Sequence, residues 1–303
     1  MPANEALKLH LMSLRLDRWP RSLAILPGTA AAFLLAPAPP ARGEWPGILL
    51  GTVLAFLFTW AISTANYIIN EITDAPYDAF HPGKNKRPLV QKKIGIFWLV
   101  VIGGALVTVT LGLALLLYSP RLCLALSLLL LAGVFYNIPP IRLKDIPYLD
   151  SSAESANNPI RFMIGWTVFQ PGLPPVSLLL AWWLFGNFLM VGKRVAEKKF
   201  LADAAAARYR RSLQSYDLRG LVSFMIGSAV LFLLCFAWFA RAFHLRVLLW
   251  SLPLIVLYLV YFIVKAVKDR DAAEEPEKML KNPYFALYTL VLMGLFLLAF
   301  LWR

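Results

Sequence analysis

Three oxygen-bearing side chains recur at four-residue intervals where a long apolar run stops. They are Asn70, Asp74 and Asp78 in 66-NYIINEITDAPYDAFHPGKNKRPL-89, downstream of the uncharged stretch from Ile48 to Ile62. On a continuous helix four residues advance about 400°, so the three would share a face. Neighbouring carboxylates repel unless a cation lies between them. Carboxylate and amide oxygens are hard ligands, and Mg²⁺ commonly takes one or two carboxylates and completes its shell with phosphate oxygens and water. Lys84, Lys86 and Arg87 follow at once and are donors for the same phosphates. Spacing alone leaves a second reading open, a solvated helix end with a basic juxtamembrane loop. Pro76 is expected to kink or end the helix near Thr73, so that Asp78 meets Asp74 across a bend. His81 adjoins the cluster as a loop residue that could also serve as ligand or base.

Two further groups carry chemistry. In 190-MVGKRVAEKKFL-201 the residues Lys193 and Glu197 are spaced as an i,i+4 pair, and Arg194 adds a second cation. This reads either as membrane-edge anchoring or as an anion clamp facing the acidic cluster across a cavity. Tyr216, in 208-RYRRSLQSYD-217, is an interfacial aromatic or a donor to substrate. The proline-punctuated 135-FYNIPPIRLKDIPYLD-150 carries Arg142 and Lys144 and leads into 154-ESANNPIR-161. There Glu154, Asn158 and Arg161 would share a helical face if the helix tolerates Pro159. Charge inside an apolar segment is costly and marks a functional candidate. The rival account is an internal Glu154–Arg161 pair.

The elements that must position these residues are transmembrane. The chain has 303 residues, 59% of them hydrophobic, and a mean hydropathy of +0.65, well outside soluble usage. Nine segments can each supply the roughly 20 apolar residues that a bilayer requires: about 22–38, 47–70, 94–118, 120–137, 153–170, 176–195, 219–241, 245–266 and 283–302. Absence of period-2 alternation favours helices over a barrel. With the N-terminus inside, 24 of the 30 Lys and Arg residues fall on the cytoplasmic side. The net charge of +13 is thus a positive-inside signature and not a nucleic-acid footprint. The first twenty residues lack the apolar core of a cleavable signal peptide. Cys123 and Cys235 lie in apolar runs and imply neither disulfide nor zinc. The expectation is an all-α, multi-pass protein of the inner (cytoplasmic) membrane, residues 1–303 forming one domain, with its active site on the cytoplasmic side.

The pattern Asn70-xxx-Asp74-xxx-Asp78 followed by Pro82-x-Lys84-xx-Arg87-Pro88 resembles the first aspartate-rich motif of the UbiA superfamily of intramembrane prenyltransferases. The segment 18-RWPRSLAILPG-28 is similar to that family's entry to its first helix. The resemblance implies a nine-helix bundle whose central cavity opens to the cytoplasmic side and the membrane. It also implies Mg²⁺ held by Asn70, Asp74 and Asp78, with Asp74 and Asp78 as the catalytic pair, gripping a diphosphate. Where most members carry a second DxxxD, this chain has Lys193, Arg194 and Glu197. That departure resembles the decaprenyl-phosphate phosphoribosyltransferase branch, as do Ser212-Leu213, Ser215-Tyr216 and His81-Pro82-x-Lys84. In contrast 138-IPPIRLKDIPYLD-150 looks more like ordinary prenyl-transferring members. The resemblance therefore implies a pyrophosphate-bearing donor and an isoprenoid lipid as partners, with His81, Lys84, Arg87, Arg142, Lys144, Glu154, Asn158, Arg161, Lys193, Arg194, Glu197 and Tyr216 as substrate contacts. Two reactions fit: phosphoribosyl transfer from phosphoribosyl pyrophosphate to a polyprenyl phosphate, and prenyl transfer from a prenyl diphosphate to an aromatic or lipid acceptor. A transporter or scaffold is a third reading, weakened by the absence of an internal repeat.

Overall fold

A computed structural model describes residues 3–79, 85–200, 211–268 and 282–301. Among them every regular element is helical. The helices are α1 (Ala3–Ser13), α2 (Leu26–Leu34), α3 (Trp45–Asp78), α4 (Ile96–Leu117), α5 (Pro120–Asn137), α6 (Leu149–Ser155) and α7 (Asn157–Trp166). They continue with α8 (Val176–Phe200), α9 (Leu218–Ala242), α10 (Arg246–Trp250), α11 (Leu252–Lys268) and α12 (Pro283–Leu301). Short 3₁₀ segments cover Leu16–Ile25, Arg42–Glu44, Leu143–Asp145 and Arg211–Gln214.

Six of these helices, α3, α4, α5, α8, α9 and α12, are long and apolar enough to cross a membrane. The other three predicted spans, the first, fifth and eighth, are each built from two helical segments, divided near Ile25, Ala156 and Ser251. The three breaks have one local cause. Pro27, Pro159 and Pro253 each sit in the first turn of the second segment, where a missing N–H costs nothing but the ring blocks continuation of the helix before it. Pro120 does the same at the head of α5, with Ser119 capping the Leu122 amide at 3.1 Å.

Pro76 behaves otherwise and overturns the expectation built on it. Helix α3 runs through it to Asp78 without ending near Thr73. At 1.5 Å per residue its 34 residues extend about 50 Å, against a hydrocarbon core of about 30 Å.

The chain divides into two compact units. The first contains α1–α5 and α7. Its core joins Ile25, Ile62, Leu122, Leu126, Leu129 and Ile164, and a smaller cluster around Ile68, Leu89 and Leu99 secures the α3–α4 end. Helices α2 and α7 approach so closely that a methyl added at Gly165 would lie 1.9 Å from the Ile25 carbonyl oxygen. The Thr29 hydroxyl donates to the Gly165 carbonyl at 3.0 Å across the same crossing. Gly165→Val is expected to destabilise the protein by about 1–3 kcal/mol, because the obstacle is backbone and cannot rotate away. Thermal unfolding in detergent reads this as a lowered midpoint.

The second unit contains α6 and α8–α12, with Phe188, Val191, Met225, Leu259 and Phe262 at its centre. On both units large apolar side chains lie on the outside, such as Leu116, Leu117, Trp250 and Tyr284. That is the inverse of a soluble surface and suits a lipid environment.

Candidate active site

In the first unit the polar end of α3 sorts its ladder into two groups. Asn137, the last residue of α5, organises the first. Its Nδ2 donates to the Gly133 carbonyl at 2.9 Å, which turns Oδ1 toward Asn70 Nδ2 and Lys144 Nζ, both at 2.8 Å. The second Asn70 amide hydrogen goes to Asp74 Oδ2 at 2.8 Å. Both hydrogens of Asn70 therefore point at protein acceptors, and its Oδ1 remains as a hard acceptor directed elsewhere.

Asp74 also accepts from Lys144 Nζ at 2.5 Å and from Arg142 Nη2 at 3.0 Å. Arg142 is held on several sides at once. Its Nε donates to Asp145 at 2.9 Å, its Nη1 to the Asn137 carbonyl at 3.0 Å, and its guanidinium lies 4.7 Å from the centre of the Tyr77 ring. The loop after α5 thus delivers two nearly buried cations to one carboxylate.

The second group lies around the flank of α3 that bears Glu71 and Asp78, seven residues apart and so nearly eclipsed. Arg87 donates to Asp78 and lies 3.4 Å from Glu71, and Arg15 pairs with Glu71 at 2.5 Å. Asp78 and Glu71 are almost completely buried, so two arginines from distant segments close on two acids. His81 and Lys84 lie outside the described residues.

The donor chemistry fits a magnesium ion. It comprises the Asp74 and Asp78 carboxylates on successive turns and the Asn70 amide oxygen. Among the described residues no three Asp, Glu, His or Cys side chains gather as a metal cage. One or two carboxylates with the remaining shell left to phosphate and water is the usual magnesium arrangement.

The second unit builds a different constellation around Arg194, whose side chain is fully buried. Its Nε donates to Asp150 at 2.8 Å, its Nη2 to Glu154 at 2.6 Å and its Nη1 to Glu197 at 2.8 Å. Asp150 also accepts from Ser212 at 3.1 Å and from the Tyr216 hydroxyl, and that hydroxyl takes the Tyr148 amide hydrogen at 2.7 Å. Burial, reinforced by the Asp150 charge, pushes the Tyr216 phenol above its ordinary range, so it stays a neutral donor.

Three sequence expectations change here. Arg194 is enclosed by the protein's own acids and does not present an open anion clamp. Glu197 pairs with Arg194, and Lys193, partly buried, makes no hydrogen bond or ion pair among the described residues. Glu154, Asn158 and Arg161 do not form one helical face, because the chain breaks at Ala156 and Glu154 goes to Arg194. Asn158, partly buried on the first turn of α7, makes no hydrogen bond among the described residues. Arg161 donates to Ser63 at 3.4 Å and Glu154 pairs with Arg194, so neither shows the expected Glu154–Arg161 pairing among the described residues.

Sequence reasoning missed Asn137, Glu71, Arg15 and Asp150 as organisers. Asp150 was visible as an acid at the edge of an apolar segment, and Glu71 as an acid one residue off the i,i+4 ladder.

The polar end of α3 thus joins a membrane-length helix to ion-paired carboxylates. The family model described as UbiA prenyltransferase family matches residues 24–290, and the chain belongs to that family. Over 229 residues it is 27% identical to a protein named decaprenyl-phosphate phosphoribosyltransferase from Mycobacterium tuberculosis, covering 75% of this chain and 72% of that protein. A protein of the same name from Mycolicibacterium smegmatis is 26% identical over 231 residues, covering 76% and 69%. A UbiA homolog from Archaeoglobus fulgidus, solved bound to GPP and Mg²⁺, superimposes with a TM-score of 0.67 at 18% identity, covering 96% of this chain and 99% of that one.

Proposed function

We propose that this transferase moves a 5-phosphoribosyl group from phosphoribosyl pyrophosphate to a polyprenyl phosphate, with Mg²⁺ at Asn70, Asp74 and Asp78. The observation that carries this reading is the arrangement on α8. At Lys193–Glu197 the single acid is tied to Arg194, so the segment offers no second pair of carboxylates for a metal. Lys193 and Arg161 meanwhile carry charge that no carboxylate meets among the described residues, which suits substrates with more than one phosphate. The likeness to proteins named decaprenyl-phosphate phosphoribosyltransferase supports it.

When bound, the metal neutralises charge on the pyrophosphate leaving group. Lys144 and Arg142 orient the Asp74 carboxylate, and Arg87 does the same for Asp78. The bond from sugar C1 to pyrophosphate oxygen breaks with its electron pair on the oxygen, and a bond from C1 to a lipid phosphate oxygen forms. The attacking phosphate is already anionic, so no strong general base is needed. Lys193 is the cation on α8 assigned to substrate phosphate, and Arg194 positions Glu154, Glu197 and Asp150. His81, Lys84 and Asn158 remain proposed substrate contacts.

A second reading, prenyl transfer from a prenyl diphosphate, is favoured by the Lys144 and Arg142 loop after α5, which looks like that of prenyl-transferring members. Purified protein with labelled phosphoribosyl pyrophosphate, polyprenyl phosphate and Mg²⁺ is expected to yield labelled lipid. Pyrophosphate release from a prenyl diphosphate, without use of the sugar donor at any lipid chain length, would overturn the first reading and establish the second. We place the protein in the cytoplasmic membrane as one nine-span domain, N-terminus and active site on the cytoplasmic side, on the strength of the charge asymmetry.

A further inference from the structure

Arg161, on α7 of the first unit, makes one long hydrogen bond and no ion pair among the described residues. Its Nη2 reaches Ser63 Oγ at a long 3.4 Å, and its Nε is buried without a hydrogen-bond partner. Tyr67 and Arg21 both lie near enough to act on the guanidinium electrostatically, in opposite senses, Arg21 as a like charge. The 3₁₀ segment Leu16–Ile25, α3 and α7 pack together here. Other buried polar atoms of the same elements also lack a partner, among them Ser22 Oγ, Thr59 Oγ1, Trp60 Nε1 and Asn66 Oδ1; Ser22 and Thr59 are 1% and 0% exposed.

Unmet donors in a low-dielectric interior cost free energy, and a cation beside another cation costs more. The unmet Nε–H of Arg161, beside the Ser63 hydroxyl, is what a bound phosphate monoester would satisfy. Position narrows the choice. Ser63 precedes Asn70 by seven residues, which is about 20° short of two full turns and about 10 Å along the same face of α3. The cation therefore sits deeper along the helix that carries the metal ligands. A prenyl diphosphate has only hydrocarbon beyond its diphosphate, and hydrocarbon cannot repay the desolvation of a guanidinium. A ribose carrying pyrophosphate at C1 and phosphate at C5 has anionic groups at both ends of the ring.

We propose that Arg161 and Ser63 bind the 5-phosphate of the sugar donor, so that α3 recognises its donor at both anionic ends. The inference rests on the phosphoribosyl reading above and assigns one phosphate of that donor to a place.

The test compares phosphoribosyl pyrophosphate with ribofuranosyl 1-pyrophosphate, identical but for the missing 5-phosphate. Wild-type protein is expected to favour the first by roughly 10- to 100-fold in kcat/KM, the range for a charged hydrogen-bonded contact. Arg161→Gln is expected to bring the two donors near parity by losing activity only with the phosphorylated one. Ser63→Ala should narrow the preference partially. A preference that survives in Arg161→Gln overturns the assignment. Equal losses with both donors, together with a raised KM for polyprenyl phosphate, also overturn it, because the cation then serves the acceptor's phosphate.

A measurement without turnover covers the case in which the glutamine variant does not fold. Ribose 5-phosphate in metal-free buffer should raise the unfolding temperature of the wild-type protein while ribose does not, and Arg161→Lys should retain part of the shift. Equal effects of the two sugars on the wild type would overturn the assignment. If the wild type uses no sugar donor yet cleaves a prenyl diphosphate, it is the proposed function that falls.

Discussion

Replacing Asp74 by alanine is expected to lower the transfer rate by roughly 10³-fold, the scale on which loss of a preorganised charge-stabilising group acts. One carboxylate there serves three partners: Asn70, Lys144 and Arg142. Its removal withdraws an expected metal ligand and leaves two nearly buried cations on the same loop facing each other. Because Asp74 is partly open and its neighbours keep their contacts with Asn137 and Asp145, the fold should survive. Activity measured across a magnesium titration should show the loss in kcat at saturating metal, with a second effect on the metal concentration required. Asp74→Asn, which retains the shape and one oxygen, is expected to recover part of the metal dependence. Alanine and wild-type proteins of equal activity would remove Asp74 from the chemistry.

Arg194→Leu is expected to act on the fold itself. The guanidinium is the common partner of Asp150, Glu154 and Glu197, at 2.6–2.8 Å, and Asp150 is fully buried. Breaking a buried ion pair from one side costs about 3–5 kcal/mol, because the charges left behind are neither solvated nor paired. Here several carboxylates are left together. The whole net stability of a typical domain is only about 5–15 kcal/mol, so the variant should unfold well below the wild-type midpoint in detergent, or fail to accumulate. Arg194→Lys keeps the charge but cannot fork to three acids, and an intermediate loss is expected. A leucine variant with wild-type unfolding and lost activity would instead return Arg194 to the substrate.

These two residues show how far the sequence could be read. Asp74 was legible because its signal is local: an oxygen every fourth residue at the end of an apolar helix, followed by cations. Arg194 was legible as a charged residue in an unusual motif, but its task was misread. A run of Lys and Arg near a membrane edge suggests an anion site, yet the structure pairs its most buried member with acids from α6 and its own helix. Lys193, its neighbour in sequence, points to a different role because adjacent helical positions are separated by about 100°.

By itself the sequence determined the all-helical, membrane-spanning architecture and the family of the site, while the breaks at Pro27, Pro159 and Pro253 came from the structure. Hydropathy, proline chemistry and i,i+4 spacing act within a few turns of one chain segment. Only the tertiary structure decided which cation meets which acid. Arg15 reaches Glu71, Lys144 reaches Asp74 and Arg194 reaches Asp150 across separations of 56, 70 and 44 residues. Ion pairing in a low-dielectric interior depends on contact distance and burial, and neither is written in local spacing.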